Sequence, residues 1–194
     1  MKIRGQSHAT FKIVCVLLLL LISACQPKTT PQGKTVKVTR VVSGNTLEVI
    51  GLEAQSNFNA RVRLIGVDAP DLQQQPWGQT AKQQLEKIVQ GSNVLLEFDV
   101  QQKDRFGRYQ AYVWYDKVLL NEWLVAQGYL LAVARNPNDK YTQQLTRAQE
   151  SARLMERGIW NPFQPMRLTP AEFRRQLILQ RTPPQSLPFQ SRQL

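Results

Sequence analysis

The stretch RVRLIGVDAPD, residues 61–71, runs from an apolar, β-branched strand into a proline stop. Val62, Leu64 and Val67 give it strand character, and Arg63 stands between two of them. Asp68 closes the strand, because Pro70 lacks a ladder N–H and restricts the residue before it. Asp71 follows in the turn. A cation within the strand and two carboxylates at its end make this the segment to build outward from.

Upstream, VKVTRVV (36–42) and TLEVI (46–50) read as two strands joined by a turn at Ser43-Gly44-Asn45. A polar loop, Gly51 to Asn59, leads into the quoted strand, read as continuous to Asp68. Downstream, Gln79 to Val89 predicts a helix with Ala81, Leu85 and Ile88 on one face and Gly91 as its stop. VLLEFDV (94–100) and YQAYVWY (109–115) are the next strands, joined through a turn at Lys103–Arg108 in which Gly107 supplies backbone freedom. Leu120 to Gln127 predicts a short helix ended by Gly128. A longer helix is expected from about Tyr141 to Arg157, with Tyr141, Leu145, Ala148, Ala152 and Met155 at helical spacing. Phe98, Tyr112, Trp114, Trp123 and Trp160 are read as core. Strands that cluster early, with helices between and after them, indicate an α+β fold rather than regular βα alternation. The order is also compatible with a small closed barrel of the OB type.

Residues 36–163 are read as one domain and 164–194 as a C-terminal extension. In the extension, Thr169–Glu172 forms a capping box with Pro170 in the first turn, predicting a short helix over about 170–180. Its Phe173, Leu177 and Ile178 are expected to dock on the body or on a partner. The Pro- and Gln-rich end is expected to be a flexible tail.

The amino terminus carries Lys2, Arg4 and Lys12 before an apolar run from Ile13 to Ile22, too short to span a bilayer. Residues 1–24 therefore read as a signal peptide and 25–35 as a tether. Ile22-Ser23-Ala24-Cys25 resembles a bacterial lipobox, which would lipidate Cys25 and anchor the exported chain to a membrane. A plain signal peptide, giving a secreted soluble protein, is the alternative. The net charge of +11 falls to +8 once the three basic residues of that segment are removed, which favours anionic partners. His8 lies in the same segment, so residues 25–194 hold no histidine for zinc binding or for a histidine-dependent triad.

Three segments together, VRLIGVDAPD, KDRFGR and VVSGNTLEV, resemble the staphylococcal nuclease (thermonuclease) family, as do QPWGQTA and ERGIWNPF. The resemblance implies a five-stranded OB-like β-barrel with three helices and calcium-dependent hydrolysis of DNA and RNA, by a chain expected to be monomeric. It implies that Arg63 and Arg108 grip the scissile phosphate, that Asn45, Asp68 and the Ala69 carbonyl hold Ca2+, and that Asp71 handles the attacking water. The chemistry is coherent: arginine forks suit an oxyanion that gains charge, and calcium takes hard oxygen ligands.

The departures from the family pattern fall on the metal and base positions. Asn45 stands where an aspartate is usual, Ala69 where threonine is, and Asp71 where glutamate is. Val133 and Arg135 replace two base-stacking tyrosines. Arg135 is read as a nucleic-acid contact, through stacking or a phosphate; Trp77 offers a stacking surface or simple packing. Arg63 as a solvent-facing strand residue and Asp104 as a turn former are the bland readings beside these. Three functions follow: an active extracytoplasmic nuclease acting on single-stranded DNA or RNA; a weakened module that binds nucleic acid or another polyanion without cleavage; and an envelope scaffold.

Overall fold

The structure, a computed structural model, describes residues 30–53 and 59–181. The signal segment, Cys25, most of the tether and the Pro/Gln-rich tail lie outside the described residues.

Eight strands and four helices are present among them. The strands are β1 (Lys34–Ser43), β2 (Thr46–Ile50), β3 (Ala60–Leu64), β4 (Val67–Asp68), β5 (Asn93–Glu97), β6 (Tyr109–Tyr115), β7 (Val118–Leu119) and β8 (Leu131–Ala132). The helices are α1 (Trp77–Val89), α2 (Leu120–Ala126), α3 (Thr142–Leu154) and α4 (Pro170–Arg181), with a 3-10 turn at Gly158–Trp160. Antiparallel pairing runs β3-β2-β1-β5-β6. A parallel pairing of β3 with β6, Val62 opposite Tyr109 and Leu64 opposite Ala111, closes the five strands into a barrel. Closure removes the exposed strand edges that an open sheet would leave. Val38, Val41, Leu47, Val49, Val62, Leu64, Leu96 and Val113 fill the interior, and α1 covers one side with Ala81, Leu85 and Val89.

Several expectations need correction. The strand over 61–68 is broken at Ile65-Gly66. Gly66 has φ +72°, and a Cβ there would lie 2.6 Å from Leu145 Cδ1, so the chain turns out of the barrel and β4 pairs with β8. β5 stops at Glu97, short of Asp99-Val100, and Val100 is exposed. The helix α1 begins at Trp77, two residues before its first predicted residue. α3 ends at Leu154, leaving Met155 exposed rather than on the packed face. Of the five aromatic residues assigned to the core, only Tyr112 is fully buried. Phe98 and Trp123 are half-buried at the core's margin, and Trp114 packs beside Ile65, Tyr112 and Leu119. Trp160 is half-buried, with the Arg153 guanidinium 4.3 Å from its ring.

Asn121 ties the helical layer to the barrel. Wholly buried in α2, it donates to Ile65 O (2.7 Å) and accepts from the Val113 N–H (2.9 Å). Both backbone groups would otherwise be buried without partners.

Candidate active site

The β1–β2 turn, the end of β3, β4 with the turn after it, and the start of β6 open together onto one cleft of about 1280 Å³. Asn45, Arg63, Asp68, Ala69, Asp71, Arg108 and Arg135 all line it. Strand register explains the meeting. Arg63 lies opposite Thr46 on β2 and Gln110 on β6, so the Asn45 turn and the Arg108 turn flank the same β3 residue. Leu64 N–H donates to Asn45 O (3.0 Å), which fixes the turn against β3.

Arg63 is drawn inward, its side chain only 17% exposed, and its Nη2 lies 3.1 Å from Asp68 Oδ1. The solvent-facing reading of Arg63 therefore does not hold. Burial pulls its guanidinium below the ordinary value, and the nearby Arg108 and Arg135 charges add to that; Asp68 opposes both. A site whose cations repel one another, with Arg63 largely withdrawn from solvent, is primed for an anion. Asn45 is buried. Its amide satisfies its neighbours with nitrogen toward Ser43 Oγ (3.1 Å) and oxygen toward Arg63 Nη2 (3.3 Å) and the Ala69 N–H (3.1 Å).

Arg108 is held by Asp104. Its Nε donates to Asp104 Oδ2 (2.7 Å), while Asp104 Oδ1 accepts the Phe106 and Arg108 N–H groups at 2.9 and 3.1 Å. Burial would raise the Asp104 carboxyl, but these bonds outweigh it and hold it below the usual carboxylate range. Asp104 is thus the turn former the sequence suggests, and it also aims Arg108. In the turn after β4, Asp71 Oδ1 accepts the Gln73 N–H (2.9 Å), which orients the carboxylate. Gly78 lets α1 approach this turn: a Cβ there would lie 1.9 Å from Asp71 O.

Two placements choose between alternatives that the sequence left open. Trp77 does not reach the cleft; it lines a separate hollow with Tyr129 and Ile159, where it packs. The C-terminal helix does reach the cleft, through Arg174 and Ile178. Arg174 Nη2 lies 2.7 Å from Asp68 Oδ2, so both carboxylate oxygens face guanidinium groups. The capping box sets the phase of that helix in the sequence, yet no local signal tells which of its arginines meets Asp68.

Among the described residues no group of three or more His, Cys, Asp or Glu side chains gathers as a metal cluster. The donors at the Asp68 position are all oxygen, with a single carboxylate beside the Asn45 amide. Hard oxygen donors of this kind suit a divalent cation held by low ligand charge, and such a cation would have to displace the guanidinium groups that face both Asp68 oxygens.

A family model described as "Staphylococcal nuclease homologue" matches residues 61–162. The chain is 37% identical over 133 residues to a thermonuclease of Staphylococcus hyicus, covering 66% of this chain and 76% of that protein. It is 34% identical over 156 residues to the thermonuclease of Staphylococcus intermedius, covering 76% and 90%. An uncharacterized endonuclease of Haemophilus influenzae is 33% identical over 168 residues, covering 85% and 86%.

Proposed function

The chain belongs to the staphylococcal nuclease family and is a nuclease by that membership, and we propose that it is a calcium-dependent phosphodiesterase cutting single-stranded DNA or RNA outside the cytoplasm. The observation that carries this is the convergence of Arg63 and Arg108, each held by its own carboxylate, on one cleft with Asp68 and Asp71. Arg63 and Arg108 receive the non-bridging phosphate oxygens, and their fixed charge offsets the negative charge that grows as water adds to phosphorus. Asp71 keeps Oδ2 for the water, since the Gln73 N–H is met by Oδ1, and takes its proton as the new P–O bond forms and the opposite P–O ester bond breaks, the leaving oxygen taking a proton from solvent. Asp68, Asn45 and the Ala69 carbonyl would hold Ca2+, which when bound polarises the phosphoryl oxygen and lowers the cost of deprotonating water. Arg135 extends the cationic wall toward the flanking nucleotides. Export as a lipoprotein anchored through Cys25 is part of the same proposal: Cys25→Ala should release the protein from membranes, and continued partitioning would refute the anchor.

A second reading, binding without cleavage, is favoured by the neutral Asn45 and by the engagement of both Asp68 oxygens. Cleavage of single-stranded DNA by the full chain in mild detergent, with millimolar calcium and with chelator, separates the two. Calcium-dependent cutting that Arg63→Ala abolishes and Asn45→Asp increases is expected. Retained DNA binding with no cutting at any calcium concentration would establish the second reading instead.

A further inference from the structure

We infer that helix α4 is a built-in strap across the cleft, in which Arg174 holds Asp68 in competition with a divalent cation. The inference rests on the reading of Asp68 as a cation ligand. Asp68 is buried; its Oδ1 serves Arg63 and its Oδ2 receives Arg174 Nη2 at 2.7 Å. A cation seated on Oδ2 draws on the same carboxylate charge and repels the guanidinium, so occupancy by one disfavours the other. With Asn45 neutral, Asp68 supplies the carboxylate charge at this position, and Arg174 neutralises it.

The strap is firmly rooted. Buried Gln74 donates to Leu168 O (2.7 Å), Met166 N–H donates to Ile159 O (2.9 Å), and the Thr169–Glu172 capping box fixes the first turn. Pro170 is the one buried residue of α4, and the Arg174 side chain is 41% exposed. The strap also lies beyond residues 61–162, the part that the family model matches. Because coupling is reciprocal, a cation that lifts Arg174 must bind more tightly once Arg174 is gone.

The test is calcium titration calorimetry on the full chain beside Arg174→Gln, Arg174→Lys and Asp68→Asn, with amide hydrogen exchange over 170–181. Arg174→Gln should tighten calcium binding by about fivefold or more, while Arg174→Lys, keeping the charge, should not. Calcium should speed exchange in the wild-type helix, and Arg174→Gln should show fast exchange without it. Unchanged or weaker calcium binding in Arg174→Gln, with binding lost in Asp68→Asn, would overturn the strap and leave the cation reading standing. An equal gain in Arg174→Lys would overturn competition by charge. No calcium binding by any of the four would overturn both readings.

Discussion

Replacing Asp104 tests whether the phosphate grip depends on an arginine that is aimed rather than merely present. Asp104→Ala removes the acceptor for two turn N–H groups and for the Arg108 fork. At about 1 kcal/mol for each partly exposed turn N–H bond and about 1 kcal/mol for a partly exposed ion pair, stability should fall by about 2–3 kcal/mol. Asp104→Asn keeps an oxygen for the turn but loses the charge that orients Arg108, so most of its stability should remain. A misplacement of about 1 Å costs on the order of 100-fold in rate, which is about 2.7 kcal/mol of transition-state stabilisation. The assay pairs urea unfolding with kcat/KM on single-stranded DNA. Both variants should lose activity, and only Asp104→Ala should lose much stability. The pH dependence has a fixed sign. The folded carboxyl lies below its ordinary 3.8, so its contribution is full above 3.8 and is lost as pH falls through the lowered folded value. Wild-type kcat/KM in Asp104→Asn would refute the reasoning and leave Asp104 a turn former alone.

Other outcomes follow from buried contacts. Asn121→Ala should cost about 2–4 kcal/mol in urea unfolding, because Ile65 O and the Val113 N–H lose their partner inside the protein. Gly78→Ala must push the Asp71 turn outward, so it should reduce kcat more than it raises KM; unchanged kcat would mean that this turn takes no part in the chemistry. Burial pushes Tyr112 upward, and burial with Glu97 raises Tyr141. The stability each contributes is present below pH 10 and is lost as pH rises through the folded value. Ultraviolet titration should show a phase of ionisation above pH 10 that Tyr112→Phe and Tyr141→Phe each reduce; no such phase, or one that neither variant changes, would contradict it.

What the sequence disclosed and what it hid differ in physical kind. Strand alternation at 36–42 and 46–50, the Pro70 stop and the Thr169–Glu172 box are local signals, and each gave an element close to the one found. Gly66 turns the chain at φ +72°, and Leu145, far along the chain, leaves no room there for a Cβ; within an apolar run a single glycine does not announce that turn. Met155 fits the helical period but falls after the helix has ended. Arg63, Asp68 and Arg108 could be singled out because short motifs hold them at fixed offsets. Trp77 and Arg174 could not be placed, because a side chain's destination there depends on how a helix is set against the barrel. Arg174 meets Asp68 across a large sequence separation that no local pattern encodes.

The parallel pairing of β3 with β6 has a consequence for when the protein becomes competent. Arg63 stands on one of these strands and Arg108 at the start of the other, and this pairing is the seam that closes the barrel. Until the seam forms, an unfolded or half-folded chain carries both arginines without setting them side by side. The proposed grip on a phosphate therefore depends on closure of the barrel and not on either strand alone.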